Sequence, residues 1–274
     1  MTLVSIVIPV YKNLSNFAVY LRHNIQFLGA NEIIIVNDDP QSQLPHDVRG
    51  DDFSDCHITW LNHTENQGFS KSVNEGVQKS SGEFVLLLNT DVKLLDASWQ
   101  NAVGEFARNP QLFALSFAQK ERTGMLVGRN EVYFRNGLFH HRALPIDSTA
   151  NTQGLRLMST AWAEGGSALF RRSMWDKLGG FDTAYSPFYW EDVDLSYRAK
   201  LSGWQVHFAP DIIVEHHHES TIGKEFDKER VVEIATRNQK YFTAKFARGL
   251  QLASFLCYKY LVLPLRSLKT ILSR

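Results

Sequence analysis

Apolar and amphipathic stretches alternate along the first part of the chain. Short runs of β-branched and aliphatic residues lie at Leu3–Val10, Ile33–Val36 and Phe84–Leu88, and such runs are typical of buried parallel strands. Stretches with helical spacing separate them, at Asn16–Leu28 and Ser70–Lys79. The alternation predicts an α/β fold in which helices cover a mostly parallel sheet.

The second part of the chain has a weaker pattern. Asp96–Leu157 has no clear period, and we expect it to form loops and strands over the site. Order returns with Ala161–Arg171, which predicts a strand, and a later helix is expected to end near Leu201. Trp204–Phe208 and Ile212–His216 predict two further strands, and the pattern beyond them is helical.

Composition and charge limit the classes of function. The 274 residues suffice for one large α/β domain, and 29 basic side chains balance 29 acidic ones. That balance argues against a dedicated nucleic-acid binder, whose affinity would rest on phosphate neutralisation. Cys56 and Cys257 have no metal-like or redox spacing, which favours a reduced, cytoplasmic setting. We expect neither a signal peptide nor a transmembrane helix, since no run approaches ~20 apolar residues.

The C-terminal segment 226–274 is predicted to be helical and becomes basic. No Asp or Glu occurs from Ile234 onward, and Leu250–Leu272 mixes large apolar residues with lysines and arginines. This composition is typical of a helix that lies on an anionic membrane surface. A helix docked on the rest of the chain, or one in an oligomer contact, would have the same pattern.

Polar residues follow three of the predicted strands: Tyr11, Asn37-Asp38-Asp39 and Asn89-Thr90-Asp91. Ligands bind at the carboxyl ends of strands in such sheets, so we expect these groups along one edge. Asp91 could hold Mg²⁺ or Mn²⁺ there, with substrate phosphates completing the metal's shell. A single acid after a strand is more typical of a turn or a helix cap, and the repetition at two strand ends favours a site.

Two further patterns add groups to this edge. His216 falls on the apolar face at the end of a predicted strand, where it could join Asp91 as a metal ligand, with His218 as the alternative. Consecutive histidines are also common on solvated surfaces. The helix that begins near Gly68 offers backbone amides, and Lys71 in its first turn suits a phosphate.

Three carboxylates, Glu191, Asp192 and Asp194, lie among aromatic and aliphatic residues. If they open a helix, Glu191, Asp194 and Arg198 share one face, where an acid-to-arginine pair would form. A helix N-terminus alone would account for those two acids. Asp192 falls elsewhere and needs a partner, so it is the candidate for tuned chemistry, with a pKa moderately raised by Trp190 and Glu191.

In this order and spacing, the motifs resemble those of the inverting family 2 glycosyltransferases, which have the GT-A fold. The matching segments are Ser5–Tyr11, Ile35–Asp38, Asn66–Phe69 with Asn74 and Gly76, Leu88–Asp91, Gly179–Asp182, Glu191–Leu195 and the histidines after Val214. The similarity covers about Leu3–Ser220 and extends especially to bacterial rhamnosyl- and galactofuranosyl-type transferases of surface polysaccharides. It implies a Rossmann-like GT-A catalytic domain at 1–225, with a nucleotide-sugar half at 1–93, an acceptor half at 94–225 and a basic helical tail at 226–274.

The resemblance also implies roles for individual residues. Asp192 would be the general base, and Asp91 would hold the Mg²⁺ or Mn²⁺ that bridges the two phosphates of the donor. The donor-binding residues would be Pro9, Tyr11, Asp38, Asp39, Gly68, Lys71, Asn89 and Asp91, with Asp38 on the nucleobase. Trp190 and Glu191 would lie on the acceptor side, and the metal ligands would be Asp91, His216 and His218. Asn89-Thr90-Asp91 departs from the family's Asp-x-Asp motif, because an amide replaces its first acid.

The implied activity is transfer of a sugar from a UDP- or dTDP-sugar to a hydroxyl of a growing, lipid-linked polysaccharide or lipopolysaccharide glycan. The protein would act as a peripheral protein at the cytoplasmic face of the inner membrane. A nucleotidyltransferase is one alternative, but the chain lacks the glycine-rich, arginine-containing loop that those enzymes typically have after the first strand. A non-catalytic glycan-binding relative is another, and the joint presence of Asp91, Asp192 and His216 argues against it.

Overall fold

The computed structural model of the chain describes residues 4–12, 14–29, 31–42, 57–146, 155–216, 223 and 225–262. The strands are β1 (Val4–Val10), β2 (Glu32–Asn37), β3 (His57–Asn62), β4 (Phe84–Leu88), β5 (Val92–Leu94), β6 (Leu112–Lys120), β7 (Leu126–Val127), β8 (Asn130–Arg135), β9 (Leu138–Ala143), β10 (Met158–Ser159), β11 (Ser167–Arg171) and β12 (Gln205–His216). The α-helices are α1 (Leu14–Leu28), α2 (Phe69–Lys79), α3 (Asn101–Arg108), α4 (Arg172–Leu178), α5 (Glu191–Leu201), α6 (Lys228–Phe246) and α7 (Gly249–Cys257).

A central mixed sheet with the strand order β10-β12-β6-β11-β4-β1-β2-β3 organises the molecule. β3, β2, β1 and β4 are parallel, and so are β6 and β12. β11 runs antiparallel between β4 and β6. The predicted α/β class with a mostly parallel sheet is confirmed, and the alternation of strands and helices in the first part of the chain matches the pattern that predicted it.

Helices cover both faces of the sheet. Successive side chains of a strand point to opposite faces, so Ile6 packs in a cluster with Phe17 of α1, whereas Val7 packs with Val73 of α2 and Leu195 of α5. Strands buried on both faces need continuous apolar runs, which is why the pattern of β1, β2 and β4 was informative. Each large apolar side chain buried in this way contributes about 1.5–3 kcal/mol.

The two strands predicted around Pro210 and Asp211 are in fact one. β12 runs without a break from Gln205 to His216 and pairs with β6 along its length. Its register shifts between Ala209 and Ile213, so the proline and the aspartate occupy an irregularity of a continuous strand. This prediction was wrong because Pro and Asp also mark bulges, not only turns.

The segment Asp96–Leu157, whose sequence has no clear period, contains a central strand, β6. Every residue of β6 except Lys120 is buried. A strand covered on both faces shows no polar alternation, and periodicity alone does not separate it from a buried helix. The strand predicted at Ala161–Arg171 is shorter than expected, since β11 begins only at Ser167 and residues 165–166 form a turn.

The helix α6 packs on the sheet domain, whereas α7 is largely exposed. Phe242 and Phe246 of α6 join a buried cluster with Phe139 and Trp190. Leu250 of α7 is 90% exposed. Among the described residues, no helix is long and apolar enough to cross a membrane. Of the residues named in the predictions, Cys56, His218 and the basic residues beyond residue 262 lie outside the described part of the chain.

Candidate active site

The carboxyl ends of six strands meet at one edge of the sheet. β1, β2, β3, β4, β6 and β12 share one direction, as their pairings and the antiparallel β11 between β4 and β6 require. β11 therefore begins where the others end, and its first residue, Ser167, lies opposite Leu88. The structure thus brings Tyr11, Asp38 and Asn89 to a common edge, as the strand pattern predicted, and adds the start of β11 to it.

Asp38 is buried and holds the loop that opens α2. Its Oδ1 accepts hydrogen bonds from the backbone N–H of Gln67 at 2.7 Å and from Nδ1 of His63 at 2.7 Å, and its Oδ2 accepts one from the N–H of Gly68 at 2.8 Å. Nε2 of His63 is in turn 2.8 Å from Glu75 of α2. A carboxylate has about four acceptor positions, so binding to a nucleobase is compatible with these contacts and stays a prediction.

The other predicted donor-binding residues lie around this loop. Asp39 accepts bonds from the N–H of Gln41 and the hydroxyl of Ser42, so it closes a turn. Lys71 is exposed on α2 and donates to the side chain of Gln67. Gly68 has a φ of +83°, and a Cβ there would lie 2.8 Å from Oγ of Ser186, so only glycine fits.

Pro9 and Tyr11 lie at the end of β1. Pro9 is opposite Val36 of β2 and beyond the residues of β1 that pair with β4, so its missing N–H removes no bond on that side. The ammonium of Lys12 lies 5.4 Å from the ring centroid of Tyr11. Both predicted nucleoside contacts are partly buried at the edge, and their role in binding stays a prediction.

Asp91 and His216 lie side by side, as predicted for a metal site. Oδ1 of Asp91 is 3.2 Å from Nε2 of His216, and each residue is 7% exposed. Nδ1 of His216 lies 3.1 Å from Oε1 of Gln119, whose amide nitrogen donates to Ser167 at 2.9 Å. With the amide oriented in this way, Oε1 of Gln119 faces Nδ1 of His216, and Nε2 faces the carboxylate of Asp91.

Oδ1 of Asp91 and Nε2 of His216 can share a proton at this distance, or both atoms can bind one cation. One carboxylate and one imidazole are donors that Mn²⁺ accepts, whereas Mg²⁺ prefers oxygen alone. No group of three or more His, Cys, Asp or Glu side chains able to hold an ion occurs in the described ranges. The pair therefore fits a cation that takes most of its ligands from elsewhere.

Residues 164–166, just before β11, connect this pair with the acidic cluster. The carbonyl of Gly166 accepts a bond from the N–H of Asn89 at 2.9 Å, and the N–H of Gly165 donates to Oδ2 of Asp192 at 3.3 Å. A Cβ at position 166 would overlap Nδ2 of Asn89 and lie 2.6 Å from its Cγ. The backbone approach therefore requires glycine, and it sets Asn89 and Asp192 on either side of one short segment.

Asp192 lies at the N-terminus of α5 with two other carboxyl groups near it. Its Oδ1 accepts a bond from the N–H of Val193 at 2.8 Å. Desolvation raises the pKa of Asp192 to about 6, although the bonds from Val193 and Gly165 lower it. Desolvation, followed by the charge of Asp192, raises the pKa of Glu164 and of Glu191 to about 8. Of the three carboxyl groups, Asp192 has the lowest pKa.

Glu164 is the member that sequence reasoning missed. Its Oε1 accepts a bond from Asn130 of β8 at 2.6 Å. Glu164 is separated from Asp192 by 28 positions, and the local signal was only an acid before Gly165-Gly166. Oε2 of Glu191 is buried and has no hydrogen-bond partner, so this acid does not pair with Arg198 as the helical spacing predicted.

Asp194 does form the predicted pair. Its Oδ1 lies 2.5 Å from Nε of Arg198, and its Oδ2 lies 2.7 Å from the ammonium of Lys245 and accepts a bond from the hydroxyl of Tyr185 at 3.0 Å. The carboxylate is fully buried, so these three donors compensate its charge. Asp194 therefore stabilises the contacts between α5, α6 and Tyr185.

Trp190 precedes the acids and is only 5% exposed. Its ring packs on Phe242 with centroids 4.9 Å apart and on His141 of β9 with centroids 5.1 Å apart. The indole therefore packs against α6 and β9 next to the acidic cluster. Acceptor contacts by Trp190 and Glu191 stay a prediction.

Comparison with known proteins identifies the family. The family model described as "Glycosyltransferase like family 2" matches residues 2–233. The chain belongs to this family. Over 222 residues, 80% of the chain, it is 27% identical to the pre-mycofactocin glycosyltransferase of Mycobacterium tuberculosis, of which it covers 43%. Over 64 residues, 23% of the chain, it is 39% identical to the N-acetylglucosaminyl-diphospho-decaprenol L-rhamnosyltransferase of that organism, of which it covers 20%.

The fold of this family 2 protein is that of solved GT-A glycosyltransferases. The mannosyltransferase PcManGT of Pyrobaculum calidifontis, solved with GDP-Man and Mn²⁺, superposes with a TM-score of 0.58 at 16% identity. The superposition covers 98% of this chain and 83% of that one. The predicted GT-A fold is thereby confirmed. The chain spans less than half the length of the two mycobacterial relatives.

The close approach at Gly166 predicts a large effect of one methyl group. Gly166→Ala should lower the free energy of unfolding by about 1–3 kcal/mol, because the whole side chain of Asn89 must move. Gly104→Ala is the matched control: Gly104 lies in α3, a Cβ there meets nothing within 4 Å, and the substitution should stabilise by about 0.5–1 kcal/mol. Urea unfolding measures both, and equal effects would contradict the overlap.

The raised pKa of Glu164 predicts how stability depends on pH. A carboxyl group whose pKa rises on folding stabilises the protein below its ordinary value of 4.5, and this stabilisation is lost as pH rises through about 8. Glu164→Gln keeps a neutral group, so its melting temperature relative to wild type should increase between pH 5 and pH 9. Glu229→Gln, at an exposed position of α6, should show no such trend. A constant difference across this range would show that Glu164 ionises normally.

Proposed function

We propose that this family 2 protein is an inverting glycosyltransferase that moves a sugar from a nucleotide diphosphate sugar to an acceptor hydroxyl. One observation carries the proposal: the Glu164-Gly165-Gly166 segment joins the Asp91–His216 pair, through Asn89, to the ionised Asp192. A transferase needs one group that stabilises the leaving phosphate and another that accepts the proton of the attacking hydroxyl. The two groups must lie close together.

On the donor side, Asp38, Tyr11 and Pro9 would hold the nucleoside, with Asp39 as the alternative to Asp38. Gly68, Lys71 and Asn89 would lie near the phosphates and sugar. Asp91 and His216 would hold a divalent cation, with His218 as the alternative ligand. When bound, Mg²⁺ or Mn²⁺ stabilises the negative charge that develops on the departing diphosphate. Lys71, exposed at the start of α2, can turn from Gln67 to a phosphate and add to that stabilisation.

On the acceptor side, Asp192 would take the proton of the attacking hydroxyl as the new bond forms. With a pKa of about 6, it is ionised at neutral pH and more basic than an ordinary aspartate. Glu164 and Glu191 retain their protons in the same range, so they do not compete for the role. Attack from the face opposite the leaving group inverts the anomeric centre without a covalent intermediate.

For the substrates we propose a UDP- or dTDP-sugar and a growing, lipid-linked polysaccharide or lipopolysaccharide glycan. The name of the mycobacterial rhamnosyltransferase, whose acceptor is a sugar on diphospho-decaprenol, supports a lipid-linked acceptor. The solved mannosyltransferase contains GDP-Man, so tests of the donor should include GDP-sugars.

We also propose that the protein lies on the anionic cytoplasmic face of the inner membrane. Large apolar side chains are exposed near the end of the described chain. They are Leu250 and Leu256 of α7 and Tyr260 and Leu261 of the following π-helix, Tyr258–Val262, and they are 42–90% exposed. Adjacent exposed apolar side chains with a nearby cation, Lys259, suit the interface between headgroups and acyl chains.

Asp192→Asn tests the proposed base. The amide has the same shape but takes no proton, so we expect release of nucleotide diphosphate in the presence of acceptor to fall about 10²–10⁴-fold. Affinity for the donor should change little. The wild-type rate should rise with pH through about 6, as Asp192 loses its proton. Glu229→Gln serves as the control, and retention of most turnover by the asparagine variant would rule out Asp192 as the base.

Flotation with vesicles tests the membrane surface. Leu250→Glu combined with Leu261→Glu should reduce binding to phosphatidylglycerol vesicles about tenfold or more, because two apolar anchors become anionic. Val232→Glu makes the same change at a 64% exposed position of α6 and should bind like wild type. If wild type and the double variant partition equally, this surface does not bind lipid.

A further inference from the structure

Asn238 of α6 is completely buried and faces the loop that leads to the acidic cluster. Its Nδ2 lies 2.7 Å from the carbonyl oxygen of Tyr185 and 2.9 Å from those of Phe188 and Tyr189. Its Oδ1 accepts a bond from Nε of Arg237 at 3.0 Å, which fixes the orientation of the amide. The amide nitrogen of one side chain thus lies within hydrogen-bond distance of three carbonyl groups in residues 185–189.

This loop has an unfavourable backbone that needs support. Tyr189 has a φ of +72° and Trp190 a φ of +79°, in the left-handed region that residues with a Cβ avoid. Trp190 is the N-cap of α5, and its carbonyl accepts the first helical bond, from Asp194, at 2.8 Å. The direction in which α5 starts, and hence the position of Asp192, depends on these two residues.

Further contacts of α6 hold both ends of the same loop. The guanidinium of Arg237 donates to the carbonyl of Ser186. The ring of Phe242 packs on Trp190. The ammonium of Lys245 lies 2.6 Å from Asp182 before the loop and 2.7 Å from Asp194 after it. Successive turns of α6 therefore bind the loop from its beginning to the first turn of α5.

We propose that Asn238 is a positioning residue for the transfer reaction, because it fixes the loop that places Asp192. The proposal rests on the proposed function of Asp192. Asn238 lies beyond residue 233, where the match to the family model ends. The part of the chain needed for transfer accordingly extends through α6, and this helix is a component of the active site rather than a tail.

Asn238→Ala tests the proposal in the 274-residue chain. The carbonyl groups of Tyr185, Phe188 and Tyr189 lose the two N–H donors that they share, and a displacement of Asp192 by about 1 Å would lower kcat about 10- to 100-fold. The KM for the donor should stay within about threefold, because the bonds of Asp38 to the N–H groups of Gln67 and Gly68 do not involve Asn238. Asn238→Ser, which retains one donor, should give an intermediate kcat and serves if the alanine variant does not fold.

Gln239→Ala is the matched control on the next position of α6. Its amide donates to the carbonyl of Phe139 in β9 at 2.8 Å and lies 3.2 Å from Nδ1 of His140, so its side-chain hydrogen bonds go to β9 rather than to residues 185–190. It should lose stability but keep kcat within about twofold of wild type. Equal losses of kcat in the two variants, or a wild-type kcat in Asn238→Ala and Asn238→Ser, would overturn the proposal.

Hydrogen exchange followed by mass spectrometry separates this proposal from the proposed function. Asn238→Ala should accelerate exchange in residues 185–193, whereas Gln239→Ala should not. Unchanged exchange there overturns the positioning role whatever the activity. Absence of transfer by the wild-type protein with all donors would refute the proposed function, and the exchange result would still report whether Asn238 holds the loop.

Discussion

The close packing of a Gly-Gly turn between Asn89 and Asp192 is the constraint on which the candidate site depends. β11 runs against its neighbours, so its first residues lie where β4 ends. The backbone of Gly166 fits there only without a side chain, because a Cβ would overlap Asn89. Through this contact the arrangement of strands fixes the position of the N-terminus of α5 relative to the sheet edge that carries Asp38 and Asn89.

Electrostatics then distinguishes neighbouring acids of one helical turn. Asp194 is buried but receives bonds from Arg198, Lys245 and Tyr185, so its charge is compensated and it serves structure. Asp192 accepts bonds from the backbone N–H groups of Gly165 and Val193, and desolvation raises its pKa. Carboxyl groups so close together in a poorly solvated space do not all ionise at neutral pH. The same residue type is therefore charge-compensated at position 194 and has a raised pKa two positions earlier.

Sequence patterns predicted those features that depend on local order. Continuous apolar runs identified β1, β2 and β4, and the rule that parallel strands end together placed Asp38 and Asp91 at one edge. The neighbourhood of Asp91 and His216 followed from the same reasoning. The position of β6, the approach of Glu164 to Asp192 and the bonds of Asn238 did not, because each depends on contacts between distant segments that leave no periodic signal.

The basic C-terminal segment shows how a charge pattern can have two origins. Lys245 neutralises Asp182 and Asp194, Arg237 donates to Ser186, and Arg248 donates to the carbonyls of two preceding residues. Much of the positive charge in residues 237–248 thus serves internal contacts. Attraction to a lipid surface would then rest chiefly on the exposed apolar residues of α7, whose contribution is insensitive to salt, whereas that of lysines and arginines is screened. A membrane association that survives high salt is what this distribution of contacts favours.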